Sequence, residues 1–166
     1  EYSKSQKEAS GLLISYLNTN NKEYFKKFSD EISVPIGDSL ARVGLKMNHP
    51  ESTIIHGFLQ GRNQSADIDD MIWLFKKFSR STYFVKSIHE WEAADASIGH
   101  LHRVGFAIRR ENVLQTLTAE SRAGYLAKIE KLNNSLGNHL GIFSAVLAES
   151  FRVISSMLLY LNITFI

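Results

Sequence analysis

The stretch LAKIEKLNNSLGNHLGIFSAVLAESFRVI, residues 126–154, decides the fold class. Its large apolar residues follow one another at steps of three and four: Leu126, Ile129, Leu132, Leu136, Leu140, Phe143, Leu147, Phe151 and Ile154. Such spacing places them on one face of an α-helix and is typical of helices that pack along their length. With Thr118 as its N-cap and Leu161 near its end, this helix would be about 65 Å long, which exceeds what a domain of this size needs.

The rest of the chain also favours helix. It contains only two prolines, Pro35 and Pro50, and no long segment in which apolar and polar residues alternate. We expect one helix over about residues 3–18 and a second over about 22–47, which Pro35 should kink or restart. A short helix should follow within 52–61, then one capped by Asp67 and a long one over about 84–110. The fold class predicted is all-α: a single domain, 1–166, forming an elongated up-and-down bundle of about four long helices plus shorter ones.

Composition limits the chemistry of the protein. The 166 residues include no cysteine, which excludes disulfides, thiolate metal sites and cysteine nucleophiles. The formal net charge is +2, and basic pairs such as Lys26-Lys27, Lys76-Lys77 and Arg109-Arg110 stand beside apolar residues. We interpret these pairs as solvated helix faces, so no nucleic-acid partner is predicted.

No metal site, cofactor or catalytic group is predicted. His89 and His100 lie eleven residues apart, about three helical turns, which is too far for both to bind one ion. His100 and His102 point in nearly opposite directions on a helix. Neither a nucleophile motif nor a phosphate-binding glycine loop occurs, so we expect this chain not to be an enzyme.

Two groups of residues are candidates for ligand binding. The first is Trp73, Arg80, Tyr83, Trp91 and Asp95, because aromatic walls with one or two charges hold small polar or amphiphilic molecules. The alternative is that both tryptophans belong to the core and that Arg80 balances a helix end.

The second candidate is the polar loop at Arg62 and Asn63, for which the alternative is a solvated turn.

The long last helix is a candidate for transmitting a signal, through Leu136, Gly137, Leu140, Gly141, Phe143 and Leu147. Each glycine lowers helix propensity by about 1 kcal/mol relative to alanine. A glycine also allows a neighbouring helix to approach closely, so we expect Gly137 and Gly141 to mark an adjustable packing point.

Residues 153–166 contain no charged side chain and only Ser155, Ser156, Asn162 and Thr164 as polar interruptions. The segment is shorter than the ~20 apolar residues that a bilayer requires. Its composition nevertheless suits the first turns of a transmembrane helix. The alternative is a C-terminal helix buried in the bundle.

Four stretches together resemble a known class of domain. They are ISVPIGDSLAR (32–42), GFLQGRNQSADIDDMIWLFKKF (57–78), IHEWEAADASIGHL (88–101) and LNNSLGNHLGIFSAVLAESFRVI (132–154). In this order they resemble the all-helical extracytoplasmic sensor region between two transmembrane helices of bacterial signalling proteins. The resemblance implies an output such as a GGDEF-type diguanylate cyclase, sometimes with an EAL module, or a histidine kinase. The second stretch departs from the family pattern at Arg62, Gln64 and Ser65, and the resemblance implies no particular ligand.

The function expected is therefore that of a periplasmic or extracellular sensor domain of a receptor in the bacterial inner membrane. It would bind a small-molecule or protein signal and transmit it through its terminal helices, with homodimerisation of the full-length receptor. The alternative is a soluble helical protein-interaction module without a link to a membrane.

Overall fold

The computed structural model describes the backbone of residues 1–164 and the side chains of residues 1–152 apart from Tyr83 and Phe151. Within that range the chain forms six helices: α1 (Tyr2–Thr19), α2 (Lys22–Met47), α3 (Glu51–Gln60), α4 (Ser65–Phe78), α5 (Thr82–Leu114) and α6 (Ala119–Thr164). The all-α class with four long helices and shorter additional ones is confirmed. The long C-terminal helix is confirmed as well.

The helix ends follow local chemistry. Asn20 and Asn48 end α1 and α2 in the left-handed conformation, each at φ 54°, which asparagine tolerates better than most residues. Thr118 caps α6 as expected, because its Oγ1 accepts a hydrogen bond from the amide of Ser121 at 3.0 Å. The prediction for Asp67 was wrong: α4 begins at Ser65, so Asp67 lies in its first turn, where a carboxylate stabilises the helix dipole.

The bounds of α2 agree with the expected 22–47, whereas the end of α5 differs from the expectation. Helix α2 is continuous through Pro35, and α5 extends to Leu114, beyond the predicted end at Arg110. Only residues 115–118 remain as the turn between α5 and α6. The tight turn makes these two helices an antiparallel pair, as the short turn at residues 20–21 does for α1 and α2.

The first core lies between the four long helices. Side chains from α1, α2, α5 and α6 meet there, and most are fully buried: Ala9, Leu13, Tyr16, Leu17, Phe25, Phe28, Ile32, Ala94, Ile98, Leu101, Val104, Ile108, Ile129, Leu132 and Leu136. Arg122 of α6 donates a hydrogen bond to the carbonyl of Leu17 in the last turn of α1. This core joins the two helical pairs into one bundle.

The second core lies where the two short helices cover α2 and α5. Its buried members are Ala41, Leu45, Ile54, Phe58, Ile68, Ile72 and Phe75, with Phe84, Ile88 and Trp91 packed against them. Gly57 makes this packing possible, because a Cβ there would come within 2.7 Å of the backbone nitrogen of Ala41. Helix α3 therefore crosses α2 at backbone contact distance.

Helix α6 extends beyond its partner. Contacts pair Glu111 with Tyr125, Ser97 with Ser135 and Trp91 with Phe143. This antiparallel register places the start of α5 beside about residue 151, so the last 13 or so helical residues of α6 pass that point, a distance of about 20 Å. The predicted start of a transmembrane segment, 153–166, falls on residues that lie outside the described side chains. Across the part of the chain that the structure describes, no helix combines the length and apolarity needed to cross a bilayer.

Candidate functional site

The two tryptophans expected to share a pocket lie in different environments. Trp73 is 59% exposed on α4, and its ring packs edge-on against Phe78 with 6.0 Å between ring centroids. Trp91 is half-buried, and its ring lies 6.1 Å from that of Phe143 on α6. Trp73 therefore does not share a wall with Trp91. Residue 83 lies in the first turn of α5, and the Tyr83 side chain lies outside the described residues.

Trp91 lines an apolar cavity of about 190 Å³ at the edge of the second core. Five helices contribute to its lining: Leu45 from α2, Phe58 from α3, Met71, Leu74 and Phe75 from α4, Phe84, Ser87, Ile88 and Trp91 from α5, and Phe143 and Leu147 from α6. Ser87 is the polar member of this set. The aromatic and aliphatic lining suits an apolar group and offers water few hydrogen-bonding partners.

Arg80 lies at a second, more open space of about 780 Å³. This cleft is lined by the cations Lys46, Lys76, Lys77 and Arg80, together with His89 and the carboxylate of Glu92. Leu45, Phe75 and Ile88 line both the cleft and the apolar cavity, so the two spaces adjoin.

Asp95 belongs to a buried ionic network instead of a pocket shared with Trp91. Its Oδ2 accepts a hydrogen bond from Arg42 Nε at 2.7 Å, and the two side chains are 6% and 7% exposed. Tyr2 donates its hydroxyl proton to Asp95 Oδ1 at 3.1 Å. Burial raises the pKa of Asp95, and the hydrogen bond and charge of Arg42 oppose that rise. The same Arg42 donates to Glu92 at 2.9 Å, and Lys46 donates to Glu92 at 2.5 Å.

The loop candidates have structural partners. The guanidinium of Arg62 donates two hydrogen bonds to Glu31, at 2.9 and 3.0 Å, from a backbone with φ 57°. Asn63 Nδ2 donates to Asp38 Oδ1 at 2.6 Å and to the carbonyl of Phe58 at 2.9 Å. Both contacts hold the α3–α4 connection against α2, and neither side chain lines the cavity or the cleft.

Asp38 is a further buried carboxylate on α2. Burial raises its pKa to about 6, although the hydrogen bond from Asn63 opposes the rise. Asp38, Arg42 and Glu92 were not among the sequence-based candidates. A signal for them existed, because Asp38 and Arg42 are four residues apart on the helical face that also carries Ala41 and Leu45.

The predicted transmission residues of α6 divide into three groups. Leu136 is fully buried in the first core, whereas Leu140 is half-buried beside it. Phe143 and Leu147 are half-buried and line the cavity.

Gly137 and Gly141 do not lie at a close helix approach among the described residues of this chain, and their role as an adjustable packing point stays a prediction. Both are exposed, and no described atom lies within 4 Å of a Cβ at either position. Other glycines do lie at close contacts: Gly37 and Gly57 between α2 and α3, and Gly105, whose added Cβ would meet the ring of Phe28. An added side chain at any of these positions would disturb the packing of neighbouring helices.

The histidines were not predicted to form a metal site, and among the described residues no group of three or more His, Cys, Asp or Glu side chains is placed to hold an ion. His89 is exposed, and His139 Nδ1 lies 2.8 Å from Glu90 Oε2, which links α6 to α5.

Comparison of the chain with protein-family models, with curated proteins and with solved structures finds no match.

Proposed function

We propose that this chain is the extracytoplasmic sensor domain of a bacterial inner-membrane receptor, which binds a signal and passes it through its terminal helices to a cytoplasmic diguanylate cyclase or histidine kinase. The observation that carries the proposal is that one helix, α6, both lines the apolar cavity and extends past its partner helix. Phe143 and Leu147 contribute to the cavity wall, and the helix continues to Thr164. A ligand in the cavity would therefore contact the element that leads out of the bundle.

The contacts of α6 suit a helix that shifts. Over the part of α6 with described side chains, the buried positions are few: Ile129, Leu132, Leu136, Val146 and Ser150. Several interhelical contacts are hydrogen bonds, such as Ser97 with Ser135 at 3.3 Å and His139 with Glu90 at 2.8 Å. A ligand that prefers one packing of α6 over another would shift the populations of the two by its difference in affinity.

A reversible cross-link tests whether α6 must move relative to α5. The hydroxyl oxygens of Ser97 and Ser135 lie 3.3 Å apart, so the double substitution Ser97→Cys and Ser135→Cys should form a disulfide in a chain that has no other cysteine. In the whole membrane protein we expect oxidation to change cyclase or kinase output severalfold and reductant to reverse the change. The single variants are the controls. Unchanged output with complete cross-linking would contradict the proposed transmission.

Labelling in cells tests on which side of the membrane the domain lies. Lys128→Cys places a thiol at an exposed position of α6. In the whole protein we expect a membrane-impermeant maleimide to label it before the inner membrane is broken. Labelling only after lysis would overturn the extracytoplasmic location.

One observation favours the second candidate, a helical protein-interaction module. Leu40, Val43 and Met47 are exposed at steps of three and four on α2 and so form an apolar stripe on its outer face. The same labelling experiment separates the two, because an interaction module without a membrane link is labelled only after lysis.

A further inference from the structure

We propose that the apolar cavity and the basic cleft form one binding site for an amphiphilic anion: a chain of about six to eight carbon atoms that ends in a carboxylate. The proposal deepens the sensor function by naming a ligand class. It rests on that function for its role in signalling, whereas the binding itself can be measured without it.

The size and lining of the cavity determine the apolar part of the ligand. Its volume of about 190 Å³ is somewhat larger than the ~150 Å³ of an engineered apolar cavity that stays dry and binds benzene. A chain of about six to eight carbons therefore fits. Each methylene transferred from water into such a lining should raise affinity roughly threefold to fourfold.

The charges of the cleft determine the headgroup. Four cations, Lys46, Lys76, Lys77 and Arg80, line it, with Glu92 as the one acidic residue of the lining. Lys46 is paired with Glu92 and Lys76 with Glu51. Among the described residues, Lys77 and Arg80 have no carboxylate within ion-pair distance, so their charges remain available to an anion.

The boundary between the two spaces is apolar. Leu45, Phe75 and Ile88 face both of them, and Phe75 directly precedes Lys76 and Lys77 in α4. A chain lying across these three side chains would place its end beside Trp91 and Phe143 and its carboxylate near Lys77 and Arg80. The apolar lining selects the tail, and the unpaired cations select the charge.

Fluorescence of Trp91 provides the measurement. The chain has two tryptophans, and Trp73 is exposed, so Trp73→Phe leaves Trp91 as the single reporter beside the cavity. With this variant of the full chain, octanoate should give a saturable change. Butanoate should bind at least about eightyfold more weakly because it lacks four methylenes. Octylammonium should bind at least about tenfold more weakly than octanoate because its charge is of the wrong sign.

The charge requirement is tested by a double substitution. Lys77→Ala with Arg80→Ala should weaken octanoate binding about tenfold and leave the binding of uncharged octan-1-ol unchanged. Lys128→Ala with Lys131→Ala, which removes two exposed charges from α6 far from the cleft, is the matched control and should change neither.

Three outcomes would overturn the proposal: no saturable signal with octanoate, equal binding of butanoate, or equal binding of octylammonium. Failure of the ligand class and failure of the sensor function can be distinguished. If Lys128→Cys is labelled from outside the inner membrane but octanoate does not bind, only the proposed ligand class is rejected. If octanoate binds but Lys128→Cys is labelled only after lysis, only the proposed sensor function is rejected.

Discussion

The two cores of the molecule differ in how completely they are filled. The first core joins four long helices through side chains that are mostly inaccessible to solvent, with aromatic contacts such as Tyr16–Phe25 at 5.1 Å and Phe25–Phe28 at 5.6 Å between centroids. The open space beside the first core is a groove of about 440 Å³ lined mainly by polar and charged side chains, whereas the second core borders an apolar cavity of about 190 Å³ and an open cleft. Dense packing leaves no room for a ligand, whereas an unfilled apolar edge does. The difference indicates that the first core supports the bundle and the second is available for binding.

The buried ionic network lies where the two cores meet. On α2, Arg42 lies between Ala41 and Leu45 of the second core and C-terminal to Ile32 of the first. On α5, its partners Glu92 and Asp95 lie between Trp91, which packs on the second core, and Ile98 of the first. Buried charges of this kind require partners in a defined geometry, because each is costly when left alone. We therefore expect the network to favour one register of α2 against α5.

The largest expected effect comes from removing the centre of that network. Arg42→Ala would leave the Asp95 carboxylate buried without its cation, and we expect a loss of about 3–5 kcal/mol in the free energy of unfolding, measured with urea. Arg62→Ala is the matched control, since it breaks the exposed pair with Glu31 and should cost about 1 kcal/mol or less. Equal losses in the two variants would show that the network does not join the cores.

Shortening one leucine in each region compares the two directly. Leu136→Ala should destabilise the protein by about 3 kcal/mol, because it opens a cavity among fully buried neighbours. Leu147→Ala should cost about 1 kcal/mol or less, because this half-buried side chain already borders an empty space. Urea unfolding of both variants is the measurement, and a larger loss at Leu147 would reverse our assignment of the two regions.

Gly57→Ala tests the close crossing that supports the second core. The new methyl group would meet the backbone of Ala41, which cannot move aside as a side chain can, so we expect a loss of about 1–3 kcal/mol. Gly137→Ala is the control in an open helical position and should stabilise the chain by up to about 1 kcal/mol. Thermal unfolding followed by circular dichroism distinguishes the two signs, and a neutral Gly57→Ala would argue against the crossing.

The smallest effect depends on pH. The pKa of Asp38 is raised from 3.8 to about 6 in the folded protein, so the folded state binds more protons between these values and its stability falls as pH rises through them. Asp38→Asn keeps an oxygen that accepts from Asn63 but carries no charge. Above pH 6 it should therefore be more stable than the wild type by up to about 2 kcal/mol, and the difference should vanish toward pH 4.

Urea unfolding at several pH values checks this expectation. Glu130→Gln, at an exposed position of α6, is the control and should show no comparable pH-dependent difference. A constant difference between Asp38→Asn and the wild type across the range would contradict the raised pKa.

Much of the fold could be predicted from the sequence because the signals for a helix come from residues close together in the chain. The steps of three and four, the capping residue Thr118 and the scarcity of proline depend on neighbours within one or two turns. Asp67 shows the limit of that reasoning. A carboxylate is favourable both at the N-cap and in the first turn of a helix, so the sequence predicted α4 correctly but placed its first residue wrongly.

Less of the candidate site could be predicted. Trp73 and Trp91 both looked suited to a pocket wall, yet only Trp91 lines the cavity. Which face of α4 and of α5 borders that space depends on how the helices pack together, and the local sequence pattern does not specify this packing. Gly137 and Gly141 looked like close-packing positions, but a glycine indicates a close approach only when another backbone is there, as at Gly57.

The amino-acid sequence by itself determined that this protein is a set of amphipathic helices with one unusually long final helix, since periodicity and capping act over a few residues. Only the tertiary structure decided which charges are buried together, which glycines touch another helix and where the apolar lining remains unfilled. Those properties depend on residues far apart in the chain, such as Arg42 with Asp95 and Trp91 with Phe143, whose distances exist only after the helices have packed.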